Sequence, residues 1–241
     1  MSSSEDYEYD YSDQDSGSDA GSGESDDDPW IPVENAFYEG DDLIKESPQE
    51  SLEKFKECIS LEEALGEFKW RMKARTQLVI LLYRMERFEE MKSVYQDLLG
   101  TIDKVGSNES TDSINKILDA VSNSTNKEMV AEVFDLTLDV LKGSKHQRMW
   151  FSCNLKLGKL LLSMHEQKGG SVQSASISRI RTIVQQLHDW CKLENGEDDV
   201  GKGSQLLEMY ALKIQLCTAT NDTAALKTIY PHTLQVRPSW L

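Results

Sequence analysis

The stretch GEDDVGKGSQLLEMYALKIQLCTA, residues 196–219, decides the fold, because it joins an acidic, glycine-flanked connection to a helix with two apolar faces. One face carries Leu206, Leu207, Tyr210, Ile214 and Cys217, and the other carries Met209, Leu212 and Leu216. Apolar residues spaced by three and four share one side of a helix, so this helix must be covered on two sides. Ser204 is predicted to be its N-cap residue. The pattern indicates a helix held between other helices in a stacked array.

The same helical pattern recurs along the chain. Paired apolar helices are predicted to begin near residues 33, 67, 110 and 146, and no segment shows the alternation of a strand. A spacing of roughly 34 to 43 residues is typical of α-solenoids, in which each helix pair buries its apolar face against the next pair. We therefore predict an all-α fold, a right-handed α-solenoid of tetratricopeptide-like helix pairs, over residues 29–241.

Local signals mark several helix ends. Ser47 followed by Pro48 predicts a helix start, and Thr125 with Glu128 has the spacing of a capping box. Near the C-terminus, Pro231 is expected to bend or end the last helix, because proline lacks the amide donor that a helix interior needs.

Residues 1–28 differ from the rest in composition. Fifteen of the 42 acidic residues lie before residue 43, where no Lys or Arg occurs, which leaves 27 acidic against 26 basic residues in the remainder. With almost no aliphatic side chains, this acidic tail is predicted to be disordered. Ser4 and Ser25 precede acidic residues and are candidate sites for an acidophilic kinase.

The composition argues against several classes of protein. A nearly neutral folded part does not favour nucleic-acid binding, and no apolar run approaches the roughly 20 residues that span a bilayer. The cysteines are widely separated, lie in apolar helical patterns and form no C-x-x-C pair. We expect reduced core thiols in a soluble, intracellular protein with no nucleic-acid or membrane partner.

Catalytic patterns are absent from the sequence. His165 and Glu166 begin something like a zinc-protease helix, but no second histidine follows at the required spacing, so a solvent-facing helix end explains His165 better. The carboxylates of Glu197, Asp198 and Asp199 do not have the spacing of a calcium loop and are read as a solvated connection. We predict a non-enzyme without metal or cofactor.

Four tracts resemble one protein family closely. DSINKILDAVS at 112–122, QRMWFSCNLKLGKL at 147–160, QQLH at 185–188 and the opening stretch are similar to the second subunits of the COP-9 signalosome, which removes a ubiquitin-like modifier from cullins. The resemblance covers residues 1 to about 230. It implies a non-catalytic scaffold in the cytoplasm and nucleus, whose helical arm binds a cullin and its RING partner before a metalloprotease in another subunit.

The resemblance also implies a ligand site near Trp70. Family members hold an inositol polyphosphate through basic residues on this helix, and Lys73 matches one such position, whereas the next basic residue is shifted to Arg75. The cluster Lys69, Arg71, Lys73 and Arg75 is therefore a candidate for inositol polyphosphate or cullin contacts. On the sequence alone, a solvated helix face is an equal alternative.

Two departures from the family bear on assembly. Residues 168–176, KGGSVQSAS, have the composition of an inserted flexible loop, and the family continues beyond residue 241 into a PCI domain through which subunits pack. We expect other signalosome subunits as partners only if that region is present, and an exposed, fraying last helix with Leu226, Ile229 and Leu234 uncovered. The alternative function is a free-standing nuclear corepressor that binds histones through the acidic tail.

Overall fold

The computed structural model describes residues 28–66, 68–167, 169 and 175–236, and within them the only regular elements are helices. The predicted disordered tail lies outside these residues except for Asp28, as do Ser4, Ser25 and most of the predicted 168–176 loop. The α-helices are α1 Trp30–Leu43, α2 Pro48–Leu65, α3 Lys69–Arg84, α4 Phe88–Leu99, α5 Ser107–Ser122, α6 Lys127–Leu141, α7 Gln147–Gln167, α8 Ala175–Trp190, α9 Gly203–Ala219 and α10 Thr223–Gln235. Short 3-10 turns, Ile102–Lys104 and Val200–Lys202, precede α5 and α9.

The helices stack in chain order. Most helices pack against the next one in the chain, but α5 packs mainly on α3, and contacts also join α4 to α6 and α7 to α9. Short connections make consecutive helices antiparallel, so every second helix begins at the same edge of the stack. This layered arrangement confirms the predicted all-α array of helix pairs.

Helix α9 lies in the interior of this stack, as its two apolar faces predicted. Leu206, Met209 and Leu212 are buried, and α7, α8 and α10 all contact the helix. The contact with α7 is close at Gly158, where an added Cβ would come within 2.7 Å of Leu212 Cδ2. The predicted N-cap is wrong, however, because α9 already begins at Gly203 and Lys202 occupies the N-cap position.

Two other local predictions also fail, and Pro231 does not end its helix. The cap of α6 is Asn126, not Thr125, because the Asn126 side chain accepts a hydrogen bond from the Met129 amide. His165 is only 7% exposed and does not face solvent, since it continues the buried stripe of Gly158 and Leu161 on α7. Pro231 lies inside α10, which continues to Gln235.

The terminal helix is covered unevenly. Ile229 is 3% exposed and Leu226 is half-buried, so the prediction that both lie uncovered is wrong. Tyr230 and Leu234, by contrast, are 63% and 71% exposed. One side of α10 therefore packs on the stack, and the other presents apolar side chains outward.

All four cysteines are free and buried, as predicted. Burial raises the pKa of the Cys58 and Cys153 thiols to about 12 and that of Cys191 to about 11. The thiols are thus protonated core side chains at neutral pH. No helix in the described ranges has both the length and the apolarity needed to cross a membrane.

Candidate interaction surface around Trp70

The connection between α2 and α3 positions the predicted basic cluster. Gly66 ends α2 with a left-handed backbone, φ +77°, a conformation that glycine adopts without strain. The chain then turns back so that the fully buried Glu62 carboxylate accepts hydrogen bonds from the amides of Trp70, at 2.7 Å, and Arg71. Glu62 thereby satisfies backbone donors at the start of α3. The side chain at the N-cap position of α3 makes no capping hydrogen bond.

The four basic residues do not share one face of α3. At about 100° per residue, Lys69 and Lys73 lie on one side of the helix, and Arg71 and Arg75 lie on nearly the opposite side. Arg71 is 10% exposed in its side chain and contacts Glu62 and Glu63, while Arg75 contacts Glu63 at 3.3 Å. The predicted solvated face of four cations is therefore wrong for the two arginines, which tie α3 to α2.

Lys69 and Lys73 are exposed and flank a buried tryptophan. Their Nζ atoms lie 5.4 Å and 4.4 Å from the centroid of the Trp70 ring, within the range of cation–π attraction. In the described part of the chain, neither ammonium pairs with a carboxylate. The two charges are thus held in place by the ring and stay available to an anionic partner.

Aromatic side chains from α1 fix the Trp70 ring. Phe37 and Tyr38 lie 5.1 Å and 5.6 Å from it between ring centroids, the second pair in an edge-to-face arrangement. Tyr38 is itself 56% exposed. The indole Nε1 of Trp70 is buried without a hydrogen-bond partner among the described residues.

A further cation reaches this region from the turn before α5. Lys104 Nζ lies 5.2 Å from the Phe68 ring centroid, and Arg71 stacks on the same ring at 3.9 Å. The sequence pattern does not indicate the position of Lys104, because its approach depends on the packing of α5 against α3. We call the exposed cations Lys69 and Lys73, with Tyr38 and Trp70, the Trp70 surface; Lys104 lies on the Phe68 side of the same helix start.

The acidic connection before α9 has a structural role. Asp198 accepts a hydrogen bond from the Tyr210 hydroxyl at 2.7 Å and contacts His188 Nε2 at 3.1 Å. The Asp199 side chain accepts from the Gly201 amide, and backbone bonds join Leu193 to Glu197 and Asp199 to Cys191. The predicted solvated connection is therefore wrong for Asp198, which ties α8 to α9.

The titration of this cluster follows from its contacts. Burial acts to raise the pKa of Asp198, but the hydrogen bonds from Tyr210 and His188 outweigh it, so the pKa lies below its ordinary value. Burial lowers the pKa of His188, although the hydrogen bond with Asp198 acts to raise it. At neutral pH, His188 is therefore a neutral imidazole that donates its Nε2 proton to the Asp198 carboxylate, not an ion pair.

Comparison with known proteins extends over most of the chain. No protein-family model matches it. The chain is 35% identical over 216 residues to COP9 signalosome complex subunit 2 of Drosophila melanogaster, a match covering 89% of this chain and 46% of the relative. The same subunit of Caenorhabditis elegans is 37% identical over 209 residues, covering 86% of this chain and 40% of that protein. The chain is a homologue of the N-terminal part of COP9 signalosome complex subunit 2.

A third relative and a solved structure are also similar to this chain. The subunit of Dictyostelium discoideum is 36% identical over 211 residues, so the chain spans less than half the length of the curated relatives it matches. Among solved structures, a putative kinesin light chain of Podosopora anserina with TPR-like repeats is similar with a TM-score of 0.38 at 9% identity, covering 85% of this chain and 98% of that one. In the residues that the structure describes, no group of three or more His, Cys, Asp and Glu side chains is placed to hold a metal ion.

Proposed function

We propose that this chain is a non-catalytic recruitment element of the COP9 signalosome, which binds a cullin and its RING partner through the Trp70 surface. Homology to subunit 2 over 89% of the chain supports membership in that complex. The Trp70 surface supports the mode of binding, because its cations are exposed and preorganised by aromatic rings. Preorganised charges speed encounter and lose little entropy when a partner binds.

An inositol polyphosphate at the interface would bridge two positive surfaces. Lys69 and Lys73 supply ammonium groups to its phosphates, whereas Arg71 and Arg75 are engaged with Glu63 and take no direct part. This division reduces the set of binding residues from the predicted four to Lys69 and Lys73. The observation that carries the proposal is that Lys69 and Lys73 have no carboxylate partner within the described residues, whereas Arg71 and Arg75 do.

The other expected partners follow from the same homology. A subunit of the signalosome contacts other subunits of the complex. We propose that this chain does the same and that its part in the complex is recruitment, not catalysis. Because the Trp70 surface lies within this chain, cullin binding by the chain alone is expected. Cytoplasmic and nuclear localisation is expected from this role.

The proposal is tested with the full chain and a purified cullin–RING pair. Binding is measured by biolayer interferometry at fixed salt, with and without inositol hexakisphosphate. The double variant Lys69→Gln/Lys73→Gln is expected to weaken binding about tenfold and to abolish enhancement by the inositol compound, since two charge-assisted contacts are lost. Lys45→Gln, an exposed lysine in the α1–α2 connection, is the matched control and should bind like the parent.

The outcomes separate the alternatives. Equal affinity of the double variant and the parent would contradict the Trp70 surface as the binding site. A chain without residues 1–28 is expected to keep its affinity for the cullin–RING pair. If it instead loses that affinity and the parent binds histones at low salt only, the corepressor alternative is supported, because an acidic tail attracts basic proteins in a salt-dependent way.

A further inference from the structure

A second cationic site lies further along the edge at which the odd-numbered helices begin. Here a groove of about 860 Å³ is lined by the first residues of α5 and α7 and by the turn that leads into α9. The groove exists because antiparallel stacking brings alternate helix starts to one edge. It does not overlap with the Trp70 surface, because the two share no residue.

The lining is cationic and lacks carboxylates. Lys145, Arg148 and Lys202 supply the positive charges, together with His146, and the remaining described lining residues are uncharged, most of them Ser, Thr, Asn or Gln. Lys145 and Arg148 are exposed and pair with no acidic residue in the described ranges. Because the chain beyond residue 42 is nearly neutral, two unpaired cations beside Lys202 give this groove a local positive potential.

Backbone donors add to this positive potential. The N-cap positions of α5 and α9 are Gly106 and Lys202, and neither side chain caps the helix. Amides of a helix's first turn have no partner within the helix, and the helix dipole places partial positive charge there. The start of α5 therefore offers the donors that bind phosphate at many other helix N-termini, whereas the Gly203 amide at the start of α9 already donates to the Val200 carbonyl.

His146 is an independent sign that the groove receives a ligand. Its side chain lines the groove but is only 7% exposed, and Nδ1 lies 3.3 Å from Ser107 Oγ. The other ring nitrogen, Nε2, is buried and has no hydrogen-bond partner among the described residues. A buried polar atom without a partner is energetically unfavourable, and a bound acceptor or donor removes that cost.

We propose that this groove binds a phosphate group. Lys145 and Arg148 neutralise the dianion, the free amides at the start of α5 donate to its oxygens, and His146 completes the site. Lys202 contributes charge at longer range, because its Nζ donates to the Trp190 carbonyl at 2.6 Å and lies 3.7 Å from Asp199. The groove is larger than a single phosphate, so it also accommodates the adjoining residues of a phosphorylated peptide.

The site is tested by isothermal titration calorimetry of the full chain at constant ionic strength. Inorganic phosphate is one ligand, and a phosphoserine peptide with its unphosphorylated form is the other. The double variant Lys145→Gln/Arg148→Gln is expected to weaken phosphate binding about tenfold, since charge-assisted hydrogen bonds are lost. Lys116→Gln, an exposed lysine on α5 outside the groove, should leave affinity unchanged.

Two further variants make the result specific. His146→Asn is expected to reduce affinity about threefold, and thermal unfolding shows whether it remains folded; if it does not, the Lys145→Gln/Arg148→Gln variant carries the test. Lys69→Gln/Lys73→Gln should bind phosphate like the parent, so failure of this site is distinguishable from failure of the Trp70 surface. Tighter binding of the phosphopeptide identifies a phosphorylated protein as the source, and equal binding identifies free phosphate. The proposal is overturned if the parent shows no heat of binding at 10 mM phosphate. It is also overturned if Lys116→Gln loses as much phosphate affinity as Lys145→Gln/Arg148→Gln.

Discussion

The starts of α3 and α9 lie at the same edge of the stack but are stabilised differently. The first amides of α3 donate to the buried Glu62, a residue of the preceding helix. No side chain at the N-cap position caps α9, and Asp198 holds the connection before it through His188 and Tyr210. One acidic residue thus completes a helix, while the other ties two helices together, and the first amide of α9 donates to the Val200 carbonyl of the preceding 3-10 turn.

The difference explains where each surface can bind an anion. At α3 the backbone donors are already used by Glu62, so only exposed side chains such as Lys69 and Lys73 remain for a partner. At α5 the backbone donors stay available beside the cations of the groove. Side-chain charge suits a broad protein interface, whereas backbone donors suit a compact anion.

Removing the internal cap of α3 is expected to have the largest effect. Glu62→Ala leaves two buried amides and Arg71 without this carboxylate, and should lower the free energy of unfolding by about 3–5 kcal/mol. Urea unfolding followed by circular dichroism measures the change. Glu62→Gln keeps an acceptor oxygen on a side chain of the same size, so its loss in the free energy of unfolding should be less than half that of Glu62→Ala. A loss under about 1 kcal/mol in Glu62→Ala would show that α3 does not depend on this cap.

Breaking the tie before α9 should cost less and depend on pH. Asp198→Asn is expected to lower stability by about 1–2 kcal/mol at pH 7, because Asp198 is partly exposed and its charged hydrogen bonds are weakened, not lost. The pKa of Asp198 is lowered in the folded state, so its contribution is present above the unfolded value near 3.9 and is lost as pH falls through the folded pKa.

His188 adds a second pH dependence in the same cluster. Because its folded pKa is lowered, the unfolded chain takes up the proton first, and stability should decline as pH falls below about 6.5. Chemical denaturation of the parent and Asp198→Asn between pH 3 and pH 8 measures both effects. The difference between the two proteins should shrink towards the acid end, and a constant difference would contradict the assigned role of Asp198.

Giving α5 a cap of its own should have the smallest effect. Gly106 has φ −59° and ψ 139°, and an added Cβ would have no heavy atom within 4 Å. Gly106→Ser therefore supplies a cap without a clash and should raise the free energy of unfolding by a few tenths of a kcal/mol. Phosphate affinity measured by calorimetry should fall at the same time, since the new hydroxyl occupies a first-turn amide. Unchanged affinity would indicate that the α5 amides do not contact phosphate.

Several features could be predicted because they depend on local pattern. The spacing of apolar residues in α9 is a property of the sequence, and burial of Leu206, Met209 and Leu212 follows from it. The buried cysteines follow from the same periodicity. The error at His165 was avoidable, since this residue continues the stripe of Leu161 on α7.

The candidate site was less predictable. Helical spacing alone separates Lys69 and Lys73 from Arg71 and Arg75, so their division could have been read from the sequence. The sequence could not predict which of the two pairs faces carboxylates, because that depends on the position of Glu63 after the turn at Gly66.

The sequence by itself determined the helices, their order and the homology, because periodicity and family tracts are encoded along the chain. Only the tertiary structure decided which charges are free. Packing brings groups into contact that are distant in the sequence or that become neighbours only after the chain reverses. Examples are the contacts of Glu62, of Lys104 and of the starts of α5, α7 and α9. Hydrogen bonds and ion pairs act over a few ångströms, so their partners are set by packing and not by sequence spacing.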